Sequence, residues 1–543
     1  MYLEEINKWL DSNIVSKEDK NVIRGMSDAE QADAFSGYLK FGTAGLRGVM
    51  APGTNRMNIY VVKKATQGVA DYLNDLYDAP SVVISYDSRL NSRLFAESAA
   101  CVLAANGIKT YLYSEMMPVP VLSYSVRELK CDAGIMITAS HNPKEYNGYK
   151  VYNGTGGQIL DKEADDILKM IENVDIFGDV KSVSLNEALS SCCSYVDEAV
   201  YEKYISVIDE STSISSEREL NIVYTPLNGS GTRPVQEILT KNGFEYFVVP
   251  EQEEGDGNFP TCPYPNPEKR EVYDVAIKYA EEKDADIILA TDPDCDRVGA
   301  IIKHNGEYEL LTGNQIGILL FNYICNAEKK ENLKGRNLCT TIVSTPFVDQ
   351  IANEYDINVI RTLVGFKYLG QQIDIAPEKF IFGFEESNGY LAGTHARDKD
   401  GVVGAKLVCQ MAAFFKSKGK TAVDVLNELY EKYGYVVDKT VTVEVKTKDD
   451  IAKIMDAVRN TELLNSVFTG IVSSTDYKDR NQNKHLPIAD VFELHFDDKA
   501  RMIIRPSGTE PKVKVYLSAC NKTIEESEAR IAELQNKFNE MNR

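Results

Sequence analysis

"SVVISYDSRLNSRLFAESAACVLAANGIKTYLYSE" runs from Ser81 to Glu115. It opens with a β-branched run, "SVVISYD" (Ser81 to Asp87), that ends in a polar turn. "RLFAESAACVLAANG" (Arg93 to Gly107) then carries good helix formers and closes on Asn-Gly, a helix-stop signal. "IKTYLYSE" returns to strand character. A strand, a helix and a second strand in succession predict a parallel or mixed sheet covered by helices.

The rhythm restarts twice. After the polar, serine-rich "DESTSISSERE" (Asp209 to Glu219), which reads as a linker, "LNIVYTPLNGSG" is a strand entering a glycine-rich loop, and "VQEILTKNG" is the next helix. "ADIILATDPDCDR" (Ala285 to Arg297) is a further strand, and Asn305-Gly306 signals a tight hairpin. A third unit begins near Gly313, with "NLCTTIVSTPFVDQIANEY" as strand, loop and helix. Beyond Tyr433 the pattern changes to "DKTVTVEV", a helix, two strands around "DDKA" (Asp497 to Ala500), a third strand "KVKVYLSA" and a charged terminal helix. The expected fold class is α/β. Three similar α/β domains with mixed sheets occupy 1–210, 211–312 and 313–433, and a C-terminal α+β domain occupies 434–543.

The bulk numbers agree with this division. The chain has 543 residues, 43% of them hydrophobic, and ~100–200 residues per domain suggests three or four domains. A net charge of −22 argues against non-specific nucleic-acid binding. An anionic ligand must then be held by local positive loops. Ten scattered cysteines without a C-x-x-C pair read as reduced and intracellular. The start, "MYLEEINKWLDSN", has no basic stretch or apolar run of the signal-peptide kind. The apolar run "IGILLFNYIC" (Ile316 to Cys325) is too short to span a bilayer. A cytoplasmic protein that does not engage membranes is expected.

The polar loops carry the chemistry. "ITASHNPKEYNGYKVY" (Ile137 to Tyr152) follows the apolar "AGIMI". Its Thr138, Ser140 and Asn142 fit a helix start. Equally, Ser140 followed by His141, in a chain with five histidines, fits a nucleophile. In "TDPDCDRVGA", Asp292, Asp294 and Asp296 alternate at the exit of an apolar strand. Their mutual repulsion is relieved by a divalent cation, and hard oxygen ligands suit Mg²⁺. An EF-hand is excluded, because Arg297 and Lys303 stand where that loop needs Gly and Glu. A haloacid-dehalogenase D-x-D motif matches as far as Asp294 but continues with a small Thr or Val where Asp296 stands.

"RPSGTEPKVKV" (Arg505 to Val515) could surround a phosphate with Arg505, the Ser507 and Thr509 hydroxyls and the backbone at Gly508. It is no Walker A loop, since the G-K-[ST] ending is missing. "FGTAGLRG" (Phe41 to Gly48) lets backbone approach a ligand closely and offers Arg47. "GFEESNGY" (Gly383 to Tyr390) supplies Glu385, Glu386, Ser387 and Asn388 for sugar hydroxyls, and "THARDKDG" adds His395, Arg397 and Lys399. Each loop alone also fits an ordinary turn or solvated surface. Together they describe a nucleophilic serine, a metal, a sugar reader and a phosphate holder. Open α/β sheets bind ligands at the carboxyl ends of their strands, so the loops would converge on one central cleft.

With T-A-S-H-N-P, D-x-D-x-D-R, G-x-E-E-S and R-P-S-G-T-E-P in this order, the chain resembles the α-D-phosphohexomutase family from about Phe41 to Ser518. "FGTAGLRG" and "GFEESNGYL" make it most similar to the phosphoglucomutase branch, which also holds phosphopentomutases and a glucose-1,6-bisphosphate synthase. The resemblance implies that Ser140 is the phosphoserine. It implies one Mg²⁺ per chain on Asp292, Asp294, Asp296 and an oxygen at Ser140, with Arg297 beside the metal. Arg47, His141 and Lys150 would flank the phosphoryl group, and His141 or Lys150 would move the proton. Glu385 and Ser387 would read sugar hydroxyls, and Arg505, Ser507, Gly508 and Thr509 would grip the phosphate that is not reacting. Lys399 and His395 carry over less firmly, because that loop varies between branches.

The implied activity is an isomerase that interconverts glucose 1-phosphate and glucose 6-phosphate, with glucose 1,6-bisphosphate as intermediate and activator. Mannose or pentose phosphates are alternative substrates, and a glucose-1,6-bisphosphate synthase is an alternative transferase. A serine hydrolase or a non-catalytic sugar-phosphate binder fits less well. The implied partner is a small sugar phosphate, the assembly a monomer or homodimer, and the last domain the lid.

Overall fold

Strand Ser81–Tyr86, helix Ser92–Ala105 and strand Lys109–Leu112 form the expected β-α-β unit, with the two strands parallel. The first strand is buried over all but its first residue, as a parallel strand covered on both faces must be. The helix stops where Asn-Gly stands: the Asn106 amide donates to the Val102 carbonyl at 2.9 Å and Gly107 takes φ +75°. Glycine adopts that left-handed conformation without the steric cost of a side chain. The computed structural model describes residues 2–542 apart from 44, 213, 214 and 508–511.

This unit lies in a six-stranded sheet ordered Leu46–Val49, Tyr146–Asn153, Ala133–Ile137, Ser81–Tyr86, Lys109–Leu112, Cys193–Tyr195. The interior pairs are parallel, and Tyr146–Asn153 returns antiparallel beside Ala133–Ile137. The sheet is therefore mixed. The second sheet has five strands, ordered Glu307–Leu310, Val298–His304, Ile287–Thr291, Ile222–Thr225, Tyr246–Val248. Its hairpin pairs His304 with Glu307 across Asn305 (φ 50°) and Gly306 (φ 88°), the two left-handed residues of a type I′ turn. The third, also mixed, has four strands: Asn358–Thr362, Asn337–Thr341, Phe380–Glu385 and Gly389–Leu391. The fourth is wholly antiparallel, in the order Tyr435–Glu444, Lys512–Asn521, Arg501–Pro506, Phe492–Phe496, Ile471–Asp476.

Two details differ from expectation. Helix Glu198–Ser211 runs into the segment read as a linker, because Tyr201, Tyr204, Ile205 and Ile208 bury one face of it. Strand Ile471–Asp476 was not anticipated. Its "IVSSTD" is a half-exposed edge with no apolar alternation to read.

The cores are divided unequally. One apolar cluster runs from Tyr204 through Leu220 and Leu319 to Val403, and so joins the first three sheets. Helix Gly313–Ala327, which holds the "IGILLFNYIC" run, and helix Gly401–Lys416 are buried within it on nearly every side. The last sheet has its own core, with Leu494, Met502, Leu517 and Leu534 at its centre. A small cluster joins it to the third sheet, where Ile342, Val343 and Leu363 meet Tyr477, Ile503 and Tyr516. Among the described residues, no helix is long and apolar enough to cross a membrane.

Candidate active site

No helix follows strand Ala133–Ile137, so Thr138, Ser140 and Asn142 cap nothing. The chain turns back into strand Tyr146–Asn153 instead. The Thr138 hydroxyl accepts the Ser140 N–H at 2.7 Å, and Ser140 takes φ 50°. A side chain in that region costs on the order of 1–3 kcal/mol and persists only where its surroundings over-determine it. Here the surroundings are Arg89. Its buried guanidinium donates to the carbonyls of Ser140 (2.5 Å), Pro143 (2.9 Å), Tyr146 (3.1 Å) and Asn142. Asp87 backs it, with Oδ2 3.4 Å from Nε. Held this way, Ser140 Oγ donates to Asp292 Oδ2 at 2.9 Å and lies 3.1 Å from His141 Nδ1.

The aspartates occupy the turn between strands Ile287–Thr291 and Val298–His304. Asp292 Oδ1 accepts the N–H groups of Asp296 (3.1 Å) and Arg297 (3.0 Å), which curls the turn. All three carboxylates are buried, and one oxygen from each lies within 4.8 Å of the others. Burial, then Asp294 and Asp296, push the Asp292 carboxyl well above the ordinary range. Burial also raises Asp296, with Asp294 adding to it. At Asp294 burial acts the same way, but Lys150 outweighs it and holds the group low. Lys150 Nζ is 2.8 Å from Asp294 Oδ2 and 3.8 Å from Asp296 Oδ2. Lys399 Nζ is 3.2 Å from Asp296 Oδ2 and 3.3 Å from Asp398 Oδ1. Asp294 Oδ1 and Asp296 Oδ1 are nevertheless buried with no hydrogen bond. Unsatisfied oxygens in an all-oxygen cluster suit a hard divalent cation, so the triad could hold a metal ion.

The "GFEESNGY" loop abuts this turn. Arg297 bridges to Gly389, and Asn388 pairs with Val298 through an amide donated to the Val298 carbonyl and a carbonyl that accepts its N–H, both at 3.0 Å. Arg297 Nη1 donates to Glu268 at 2.6 Å, while Nε lies 3.9 Å from Asp292 and 3.8 Å from Asp296. Glu385, buried at the end of its strand, accepts the Gly365 N–H at 2.9 Å. Ser387 is half-buried in the turn beyond it. Arg47 is exposed and donates to Asn142 Oδ1 at 3.1 Å, above the serine loop. Burial, reinforced by Arg297, Arg47, Arg89 and Lys150, holds the His141 imidazole well below its ordinary range. The ring is neutral at pH 7.

Arg505 stands next to last in strand Arg501–Pro506, opposite Lys514, and the Ser507 N–H donates to the Lys512 carbonyl at 2.9 Å. Gly508 and Thr509 lie outside the described residues. His395 is wholly buried. Its Nε2 sits 2.8 Å from Asp400 Oδ2, and its ring packs on Tyr204. Asp400 caps helix Gly401–Lys416, so His395 braces that helix.

The chain matches one family in four consecutive segments. They are phosphoglucomutase/phosphomannomutase alpha/beta/alpha domain I over 38–176, domain II over 201–306, domain III over 312–433 and the C-terminal domain over 441–535. The chain belongs to the phosphoglucomutase/phosphomannomutase family. Members of this family are isomerases that move a phosphoryl group within a sugar. A phosphoglucomutase of Staphylococcus haemolyticus is 34% identical over 93% of this chain and 95% of its own. A probable phosphomannomutase of Haemophilus influenzae is 35% identical over 88% and 96%. The crystal structure of a putative phosphomannomutase from Thermus thermophilus superimposes with a TM-score of 0.70 at 21% identity, covering 92% and 99%.

Within this family fold, several residues that the motifs did not single out sit in the same cluster. Arg89 and Asp87 hold the serine loop, Glu268 engages Arg297 and Asp398 engages Lys399. "YDSR" (Tyr86 to Arg89) stands directly after a buried strand, as the other loops do. That position was the available signal. Glu268 carries none, because only tertiary packing brings it to Arg297, 29 residues away, whereas Asp398 stands next to its partner Lys399 in "THARDKDG".

Proposed function

We propose that the chain interconverts glucose 1-phosphate and glucose 6-phosphate through phosphorylated Ser140 and a glucose 1,6-bisphosphate intermediate. The supporting observation is Ser140 Oγ held in a strained turn, 2.9 Å from Asp292, among Lys150, His141 and Arg297. In the first transfer the bond from phosphorus to Ser140 Oγ breaks as a bond forms to the free sugar hydroxyl oxygen. That hydroxyl loses its proton, and Oγ gains one. The bisphosphate then turns over in the cleft. In the second transfer its other phosphate moves to Ser140 Oγ, the serine proton leaves, and the released sugar oxygen is protonated.

Phosphoserine carries ~1.5 to 2 negative charges, beside three buried carboxylates. Asp292, Asp294 and Asp296, with Ser140, would hold one Mg²⁺, which when bound offsets that charge. Lys150, Lys399 and Arg297 already lie within 4 Å of the triad's carboxylates, and Arg47 lies above. Neutral His141, 3.1 Å from Oγ, carries the proton to and from Ser140, while Lys150 Nζ lies 2.8 Å from Asp294. Glu385 and Ser387 take the sugar hydroxyls. Arg505, Ser507, Gly508 and Thr509 hold the phosphate that is not reacting.

Mannose phosphates are the second reading. The relative from Haemophilus influenzae favours it, and hydroxyls 3 and 4, read by the Glu385 loop, are common to both sugars. The enzyme works in the cytoplasm on small sugar phosphates, as monomer or homodimer. The test supplies Mg²⁺, a trace of glucose 1,6-bisphosphate and the 1-phosphates of glucose, mannose and ribose in turn. Rapid formation of glucose 6-phosphate is expected. Free phosphate as the main product would overturn the mutase reading, and faster turnover of mannose or ribose phosphate would overturn the glucose preference.

A further inference from the structure

A cavity of about 710 Å³ lies in the first domain, lined by none of the aspartates. Small-molecule sites span roughly 300–1,000 Å³. Helices Ile59–Leu76 and Asp161–Asn173 form its walls, with apolar surface from Val61, Ala65, Leu168 and Ile171. Leu39 to Phe41 and Leu46, the two flanks of "FGTAGLRG", close another side.

One charged side chain lining this cavity makes no close ion pair. Lys64 is more than nine-tenths buried, and it lines the space. Its ammonium lies 4.2 Å from the centroid of the Tyr38 ring. Among the described residues it has no hydrogen bond and no carboxylate within 4.0 Å. Lys8, on the same wall, is already satisfied by Asp175 at 2.6 Å. Burial, with Lys8 adding to it and Asp175, Glu5 and Glu172 only partly opposing, holds the Lys64 amine below its ordinary range, the direction expected of a partly desolvated ammonium. A partly desolvated cation with no hydrogen bond from the protein is stabilised by a bound anion. The carboxylates of Glu172 and Asp175 on the same lining set the limit. They leave room for one negative charge and would repel a phosphate diester chain or a bisphosphate.

We infer that this cavity binds a small amphipathic monoanion, an apolar or aromatic body carrying a single carboxylate or sulfonate, with Lys64 as its counter-ion. Its position gives the ligand a route to the reaction. A Cβ at Gly45 would overlap the Tyr149 carbonyl and approach the Lys150 Cα at 2.9 Å. The loop whose flanks line the cavity therefore rests directly on the backbone that presents Lys150.

The probe is 8-anilinonaphthalene-1-sulfonate, titrated into the full chain with Mg²⁺ and saturating glucose 6-phosphate present. One saturable fluorescent site per chain is expected. Lys64→Met keeps the packing and removes the charge, and should weaken the probe about tenfold, a difference of ~1.4 kcal/mol. Leu168→Trp fills the space and should abolish the site. Both variants should retain mutase activity, which shows that they fold. Unchanged binding in either variant, or loss of the wild-type signal when glucose 6-phosphate is added, would overturn the inference.

Discussion

The two ends of the proposed catalytic cleft are built differently. At the serine end, Ser140 and the three aspartates are buried, Arg89 ties the loop through four carbonyls, and the domains that contribute share one apolar core. At the end proposed to grip the phosphate, Arg505 and Ser507 are half-buried where two strands meet, on a sheet with a separate core. That sheet reaches the third domain through the small cluster around Ile342 and Tyr516 and through Arg501, which donates to the Ser344 carbonyl at 2.7 Å. Phosphoryl transfer depends on positioning and charge stabilisation, so the reacting end is preorganised. An end that only grips can sit on an element able to close over the sugar and exclude water.

If this division holds, the largest effects come from the serine end. Ser140→Ala should cut turnover on the order of 10⁴-fold or more, with mass spectrometry finding no phosphate on that peptide. Appreciable activity in the variant would remove Ser140 from the mechanism. Stripping divalent metal with a chelator should silence the wild type, and added Mg²⁺ should restore it. Recovery without any divalent cation would contradict the reading of Asp292, Asp294 and Asp296.

Arg89 tests whether preorganisation itself matters. It touches the backbone of the serine loop rather than its hydroxyl. Arg89→Lys can replace one or two of the four bonds but not the fork. We expect kcat to fall roughly 10²-fold with KM nearly unchanged, the scale of a misplacement of about 1 Å. A rise in KM with kcat intact would mean that Arg89 serves binding. Arg505→Ala should do the reverse, raising KM about tenfold and changing kcat less, because it removes one charge-assisted contact with a phosphate. Equal kcat losses in the two variants would erase the contrast between the ends.

Much of this architecture was legible in the chain. Buried parallel strands read as continuous apolar runs, and Asn305-Gly306 announced its own turn. The aspartate triplet was legible because its chemistry is local: three carboxylates on one turn need a cation wherever the turn lies. Arg89 was not legible, since its partners stand more than fifty residues away and are carbonyls that any residue supplies. The conformation of Ser140 was hidden for a similar reason. Nothing in "TASHNP" demands φ 50°; Thr138 and Arg89 impose it from the folded surroundings. Strand Ile471–Asp476 escaped because an exposed edge has no inward face to leave a pattern.

The smallest expected effect falls where the two ends meet. Glu386 follows Glu385 in the "GFEESNGY" loop and accepts weak hydrogen bonds from Thr341 (3.5 Å) and Ser344 (3.4 Å), the latter also bonded by Arg501 of the last domain. Burial, then the neighbouring Glu385, raise its carboxyl from 4.5 to about 7, and Lys514 only partly opposes them. Below pH 4.5 the group is protonated in both folded and unfolded chains, and its contribution is fully present. Between 4.5 and 7 the folded chain holds a proton that the unfolded chain has released, so stability falls as pH rises. Above about 7 the loss is complete and constant. Glu386→Gln removes this titration. Relative to the wild type it should gain about 1–3 kcal/mol at pH 8 and nothing near pH 4.5, read as a difference in Tm that opens across that window. A parallel pH dependence in the two proteins would mean that Glu386 titrates normally and that Lys514, from the last domain, already neutralises it.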